Sequence, residues 1–368
     1  GTGLVGSEMC IRDRDMGGSA EVAFKEASDS GLLLGGQKIV SVRADSTCID
    51  NAAATAAAER LVTAEKVAGI MGADCSGVTT AVANNVAVPN GVPMISPSAT
   101  SPALTTIADN GYFFRTAPSD ARQGQVLASI TVERGITSVA VTYVNSDYGK
   151  GLSDSFGKAF QALGGTVTIS VPHETGKADY SAEVASMDSA GGDAMAVFGY
   201  VNQGGPGIMQ ASLDSGSFDK FILADGMYGD DLLTNVEGDL TGTFGTVPGT
   251  DSKGAATYAD MANAAGLKGS GPFTGESYDA AALLILAMQS AGSTDGAAIA
   301  SNVMGVANAP GEKIMPGELA KGLRILANGG AVDYVGATNV ELTGVGEASG
   351  SYREFEIRNK AFQTVRFR

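Results

Sequence analysis

Tryptophan is absent from these 368 residues, histidine occurs once and cysteine three times. The single histidine, His173, leaves no His-rich metal site, and any nucleophile–histidine–acid arrangement would have to be built on it. It lies in VPHETGKADYS, residues 171–181, which reads as a strand running into a loop, so a surface histidine is expected. No GxSxG, HExxH or CxxC occurs, which removes common signatures of hydrolases, zinc peptidases and thiol redox sites. The run GGPG at residues 204–207 has the glycines of a phosphate loop but no GK[ST], so a nucleotide site is not expected. No cofactor and no metal are expected. Basic residues are scarce: 24 Lys and Arg stand against 40 Asp and Glu, for a net charge of −16. That balance argues against nucleic acid or an anionic membrane surface as partner. Long apolar runs are missing too, none approaching the ~20 residues a bilayer-spanning helix needs.

What is present points to a large α/β chain. Hydrophobic residues make up 44% of the sequence, and its length allows two lobes of ordinary domain size. The 51 glycines suit a fold with many short turns between strands and helices. Residues 19–28 have helical spacing, and residues 38–43 alternate as a strand. Asp50 is a plausible N-cap for the Ala-rich helix that follows it. Residues 67–71 read as a short buried strand, Ser76 as the cap of a helix through Val88, and residues 92–95 as the next strand. This β-α-β-α-β rhythm is that of a doubly wound parallel sheet. It breaks at YFFRTAP, residues 112–118, and restarts with Ser119-Asp120 capping a helix. Strands at 138–143, 167–171, 194–200 and 220–224 then alternate with helices at 152–163, 181–190 and 207–215. GTFGTVPG, residues 242–249, is a second extended break, and VDYVGA after Gly329-Gly330 a third. Residues 274–292 and 318–326 read as helices, and residues 350–367 as a terminal hairpin.

The stretch 91–105, GVPMISPSATSPALT, organises the rest. An apolar strand end gives way within one residue to a loop whose hydroxyls are Ser96, Ser98, Thr100 and Ser101, stiffened by Pro97 and Pro102. In open α/β sheets, ligands bind at such carboxyl ends; an ordinary connecting loop is the alternative. PMISPSAT followed by SPALT resembles the signature loop of the periplasmic binding proteins for branched-chain amino acids, the type I solute-binding proteins of ABC importers. CSG (75–77), YFFRTAPSDARQG (112–124), DYGKG (147–151), GTFGTVPG (242–249) and APGEKIMPGEL (309–319) continue the likeness in order.

The resemblance implies two doubly wound, Rossmann-like α/β lobes joined by a three-crossing hinge. One lobe is expected from residues 15–118 with 248–331, the other from 119–247 with 332–368. It implies a non-enzymatic, monomeric, extracytoplasmic (periplasmic) protein that closes on a small amino acid and docks on a membrane permease. Ser76 matches a ligand-contacting position, where its hydroxyl and the first helical N–H groups would hold a carboxylate; a plain N-cap is the alternative. Ser98, Ala99 and Thr100 match the loop positions that contact the ligand's carboxylate and ammonium. Tyr148 matches a position across the ligand, with a simple turn into a helix as its alternative. Asp225, in ADGMYGD, matches an acidic residue that pairs with the ammonium. Family members often have Glu there, so the shorter side chain leaves its reach open, and a turn aspartate is the other reading. Tyr200 ends a strand on the same rim, with Val201 the competing position. Glu276 would line the pocket or cap its helix. The resemblance also places a disulfide between Cys48 and Cys75, where two buried thiols are the alternative. A rival ligand class on the same scaffold is an amide, a urea or a small aromatic acid, and a rival role is that of a sensory receptor.

Residues 4–14, LVGSEMCIRDR, back-translate with one choice of codons into the end of a transposon-type sequencing adapter. Residues 1–14 are therefore set aside as an artefact, a genuine N-terminus of odd composition being the alternative. The expectation is that the first strand of the first sheet and any signal peptide are missing, leaving that sheet position empty or filled by the adapter-like residues.

Overall fold

Asp50 accepts a hydrogen bond from Ala53 N at 2.9 Å, and the Ala-rich segment behind it is helical over Asn51–Glu59. The same local logic recurs along the chain: Ser119, Ser146, Ser252 and Asp295 each cap a helix through a side-chain oxygen. The structure, a computed structural model, describes residues 2–7 and 11–368, with side chains from Arg14 onward.

These elements assemble into two compact units. The first comprises the chain up to Thr100 with Leu104–Pro118 and Thr250–Gly350; the second comprises Ser101–Ala103, Ser119–Gly249 and Ser351–Arg368. The first unit's sheet runs Glu347–Ala348, Phe113–Pro118, Met94–Ser96, Gly69–Met71, Thr2–Ser7, Ile39–Ala44. Its strand pairings are parallel. The strands Gly69–Met71, Met94–Ser96 and Phe113–Pro118 are buried along their whole length, as strands covered on both faces must be. One core cluster packs the helices Ile11–Ser30 and Thr274–Ala291 on this sheet. A second holds residues of Asn51–Glu59 and Ser76–Val82. Thr274–Ala291 is buried almost all round, Leu283 to Met288 each at 0% exposure, so it reads as a core helix rather than an amphipathic one.

The second unit's sheet runs Ala361–Phe367, Tyr352–Arg358, Phe244–Pro248, Phe221–Leu223, Ala194–Phe198, Ser138–Val144, Thr166–His173. Only the terminal hairpin is antiparallel to its neighbours. Numbered within each unit from its first strand, the first five strands stand in the order 2-1-3-4-5 in both. This is the doubly wound order whose ligands sit where the winding reverses, outside the carboxyl ends of strands 1 and 3.

The position of the first unit's opening strand is filled by Thr2–Ser7, from the stretch set aside as adapter-like, which pairs with both Ile39–Ala44 and Gly69–Met71, the second of the two outcomes expected. Three expectations need correction. The third passage between units falls at Gly350/Ser351, not before Val332. Val332–Tyr334 pairs with Glu312–Ile314, and Glu347 pairs with Arg115, so residues 332–350 stay with the first unit. Ser101–Ala103 groups with the second unit, where Ser101 Oγ donates to Asp147 O at 3.2 Å. His173 is not a surface residue. It is 1% exposed at the end of its strand, its Nδ1 2.9 Å from Thr142 Oγ1 and its ring edge-on to Tyr180. Burial lowers its pKa to about 4, which keeps the imidazole neutral.

Cys48 and Cys75 form a disulfide with Cα atoms 5.2 Å apart, across a separation of 27 residues. In the chain-entropy account, a loop of that length stabilises the fold by roughly 3 kcal/mol. Reduction, or paired Cys48→Ser and Cys75→Ser changes, is expected to lower denaturant-measured stability by about that amount. Two alkylatable thiols in the oxidised native protein would overturn this.

Candidate functional site

In the first unit, two loops leave the carboxyl ends of adjacent strands, residues 72–76 after Gly69–Met71 and 97–100 after Met94–Ser96, and hydroxyls bind them together. Ser96 Oγ donates to Ala73 O at 2.5 Å and accepts from Ala99 N at 3.0 Å. Ser98 Oγ donates to Asp74 O at 2.8 Å, and Thr100 N donates to Ser76 Oγ at 3.2 Å. Ser76, Ala99 and Thr100 are each at most 1% exposed. So the hydroxyls of Ser96 and Ser98 shape the loop. Ser76 is the first helical residue of Ser76–Val82 rather than its cap; the N-cap position belongs to Cys75.

Glu276 stands apart from this pair of loops in sequence, in the first turn of Thr274–Ala291. It is 5% exposed, and its carbonyl accepts from Thr116 Oγ1 at 2.8 Å. The N-cap position of that helix is held by Phe273, so Glu276 does not serve as the cap.

The second unit gathers three of the expected residues. Tyr148 lies in the first turn of Asp147–Ala162, a helix that starts five residues earlier than the sequence pattern indicated because Ser146 Oγ accepts from Gly149 N. Its hydroxyl donates to Asp225 Oδ1 at 3.2 Å and accepts from Gly226 N at 3.1 Å. The Tyr148 and Tyr200 rings stack with centroids 4.9 Å apart. Val201 instead packs into the hydrophobic core, which leaves Tyr200 as the residue on the cluster. Asp225 is 3% exposed, two residues past the end of the strand Phe221–Leu223. Tyr148, Tyr200 and Asp225 follow strands 1, 3 and 4 of the unit, at the carboxyl ends that flank the reversal of winding.

A fourth member, Asp120, is one that sequence reasoning missed. It is fully buried in the first turn of Asp120–Glu133. Burial, then Asp225, then Asp120 hold the Tyr148 phenol far above its ordinary pKa, and the same three causes act on Tyr200. The available signal is SD directly after an extended strand, which reads only as a helix start. Two carboxylates beside two neutral phenols make an acidic, aromatic cluster. It can supply a counter-charge and ring faces to a cation, or hydrogen bonds to an ammonium group.

Two doubly wound α/β units with such clusters at the carboxyl ends suit the binding of a small polar ligand. The chain belongs to the periplasmic binding protein family, whose profile matches residues 12–319. It is a solute-binding protein rather than an enzyme. Among its relatives, the chemotactic signal transduction substrate-binding protein BasB of Halobacterium salinarum is 26% identical over 92% of this chain and 81% of its own length. Leu/Ile/Val-binding protein homolog 1 of Brucella abortus is 31% identical over 75% of this chain and 73% of its own. Among solved structures, a leucine-binding protein from Thermotoga maritima has a TM-score of 0.82 at 22% identity, covering 100% of this chain and 98% of that one. A solute-binding protein from R. palustris in complex with 4-hydroxybenzoate has a TM-score of 0.77 at 18% identity, covering 100% and 96%. At these identities the two structures establish the fold. No helix of the described residues is long and apolar enough to cross a membrane.

Proposed function

We propose that this protein is the periplasmic, monomeric solute-binding component of an ABC importer and that its ligand is an aliphatic α-amino acid, delivered to a membrane permease. The observation that carries the reading is the second unit's cluster, in which Asp225 and Asp120 lie beside the stacked Tyr148 and Tyr200. Acid at that density suits an ammonium group, because a buried cation without a counter-charge costs several kcal/mol. Ser76, Thr100 and the backbone of Ser98 and Ala99 are the proposed carboxylate and ammonium contacts from the first unit, and Glu276 a proposed wall of the pocket. The names of the Brucella and Thermotoga relatives support an amino acid.

The 4-hydroxybenzoate complex supports the rival, an aromatic acid, and BasB a sensory role. An aromatic acid has no ammonium group, so it brings no positive charge to the acidic cluster. A thermal-shift screen separates the ligand classes, since a ligand at a hundredfold excess over its Kd stabilises by about 2.7 kcal/mol. Leucine, isoleucine or valine is expected to raise the melting temperature, and 4-hydroxybenzoate, urea and short amides to leave it unchanged. A rise with 4-hydroxybenzoate alone would replace this reading.

A further inference from the structure

The structure assigns Arg115 as the positioning residue for the 96–105 loop, and thereby for the ligand contacts that loop carries. This rests on the amino-acid reading above. Arg115 lies in the strand Phe113–Pro118 and is 1% exposed, the largest fully buried charged side chain among the described residues. Its guanidinium reaches the middle and the far end of the loop at once. Nη1 donates to Ala99 O at 3.1 Å, and Nη2 donates to Thr105 Oγ1 at 3.0 Å. Glu347 Oε2 accepts from Nη2 at 2.6 Å and from Nε at 3.2 Å, and Thr105 Oγ1 donates to the same oxygen at 2.8 Å. Main chain closes the assembly, with Arg115 N donating to Gly346 O at 2.9 Å.

Arginine, threonine and glutamate thus form a closed ring of bonds, and the arginine reaches out of it to the loop carbonyl. The planar guanidinium fork is what lets one cation meet three acceptors in fixed directions; a lysine ammonium, a point charge on a flexible stem, cannot. The Ala99 carbonyl is flanked by the two residues with proposed ligand contacts, Ser98 and Thr100. Holding that carbonyl sets the peptide planes on either side. A buried ion pair is weak evidence of a role in stability, since an apolar replacement often does as well. Here the pair is joined to a loop that carries the proposed ligand contacts Ser98, Ala99 and Thr100.

Arg115→Lys keeps the charge beside Glu347 and removes the fork. It is expected to weaken leucine binding by at least about tenfold, measured by calorimetry well below the melting temperature. In a Thr100→Ala background the same change should cost less than about twofold, because both act through one loop; in a Tyr200→Phe background it should keep its full effect. Equal losses in all three backgrounds mean a general structural role and overturn the proposal. Thr105→Val, which leaves the ion pair intact, should weaken binding in the same direction and serves if Arg115→Lys does not fold. Hydrogen exchange separates this proposal from the amino-acid reading. If the parent protein binds no amino acid, that reading fails, and the amides of Ser98, Ala99 and Thr100 decide about the clamp. Exchange at least about tenfold faster in the variant, with Ile70 and Met71 unchanged, upholds it. Parent-like exchange at those three amides overturns it.

Discussion

Asp279→Ala is expected to cost about 4 kcal/mol or more of stability, as a single substitution far from the proposed ligand contacts in sequence. Asp279 is fully buried in the core helix Thr274–Ala291, and its carboxylate gathers four donors from one turn. Oδ1 accepts from Tyr334 Oη at 2.7 Å and Ala337 N at 2.8 Å; Oδ2 accepts from Thr338 N at 2.9 Å and Thr338 Oγ1 at 2.6 Å. Alanine would leave these donors without their acceptor, and each buried, unsatisfied donor costs roughly 1–3 kcal/mol. The segment they hold leads to Glu347, so its loss should loosen the first unit around Arg115 as well.

The same residue gives the protein a pH dependence opposite to ordinary acid lability. Burial raises the Asp279 pKa to about 6, against the pull of its hydrogen bonds. The folded state then holds this proton more tightly than the unfolded chain does. Its contribution to stability is full below the ordinary carboxylate pKa and is lost as pH rises through about 6. Asp279→Asn cannot titrate, so the gap between parent and variant should be larger at pH 4.5 than at pH 7.5, by about 2 kcal/mol. Denaturant titrations at the two pH values check this, and an equal gap at both would refute the raised pKa.

Much of this architecture can be read from local sequence, and the reason is physical. Asp50 and Ser119 act through neighbours two or three residues away, and the terminal hairpin announces itself by alternation. The α/β rhythm places Tyr148, Tyr200 and Asp225 just after strands, which a parallel sheet brings to one edge. What is not legible is bonding across long separations. Glu347 is 232 residues from Arg115, and Thr338 is 59 from Asp279, and no periodicity links either pair. That is why residues 332–350 looked like a passage to the second unit when buried polar groups anchor them to the first. His173 shows the same limit. Its burial depends on a hydroxyl from Thr142, 31 residues away on the neighbouring strand, and on the ring of Tyr180, which the polar-looking HETGKADY contains without showing that it turns its edge to the imidazole. Asp120 was hidden differently. Its position at a helix start already had a sufficient local explanation, and only the fold shows it acting on two tyrosines.

Asp225→Ala is expected to lower affinity for the amino-acid ligand by more than a hundredfold, about 3 kcal/mol. The cost follows from burial. Asp225 is 3% exposed, so an ammonium it receives leaves most of its hydration behind and depends on the carboxylate in exchange. Tyr148 donates to Oδ1 and is itself held by Gly226 N, which aims the carboxylate before any ligand arrives. Pre-aimed acceptors lose little entropy on binding, which favours a large single-residue effect. Asp225→Asn keeps the shape and one acceptor for Tyr148 but loses the charge, so it should cost nearly as much as alanine. Asp120 remains in both variants and limits how large the loss can be. The decisive comparison pairs leucine with 4-methylpentanoate, its analogue without the amino group, in parent and Asp225→Asn. The parent should strongly prefer leucine, and the variant should lose most of that preference while its weak binding of 4-methylpentanoate changes little. If parent and variant discriminate the two compounds equally in calorimetry, Asp225 is not the ammonium partner, and the acidic cluster must serve another ligand.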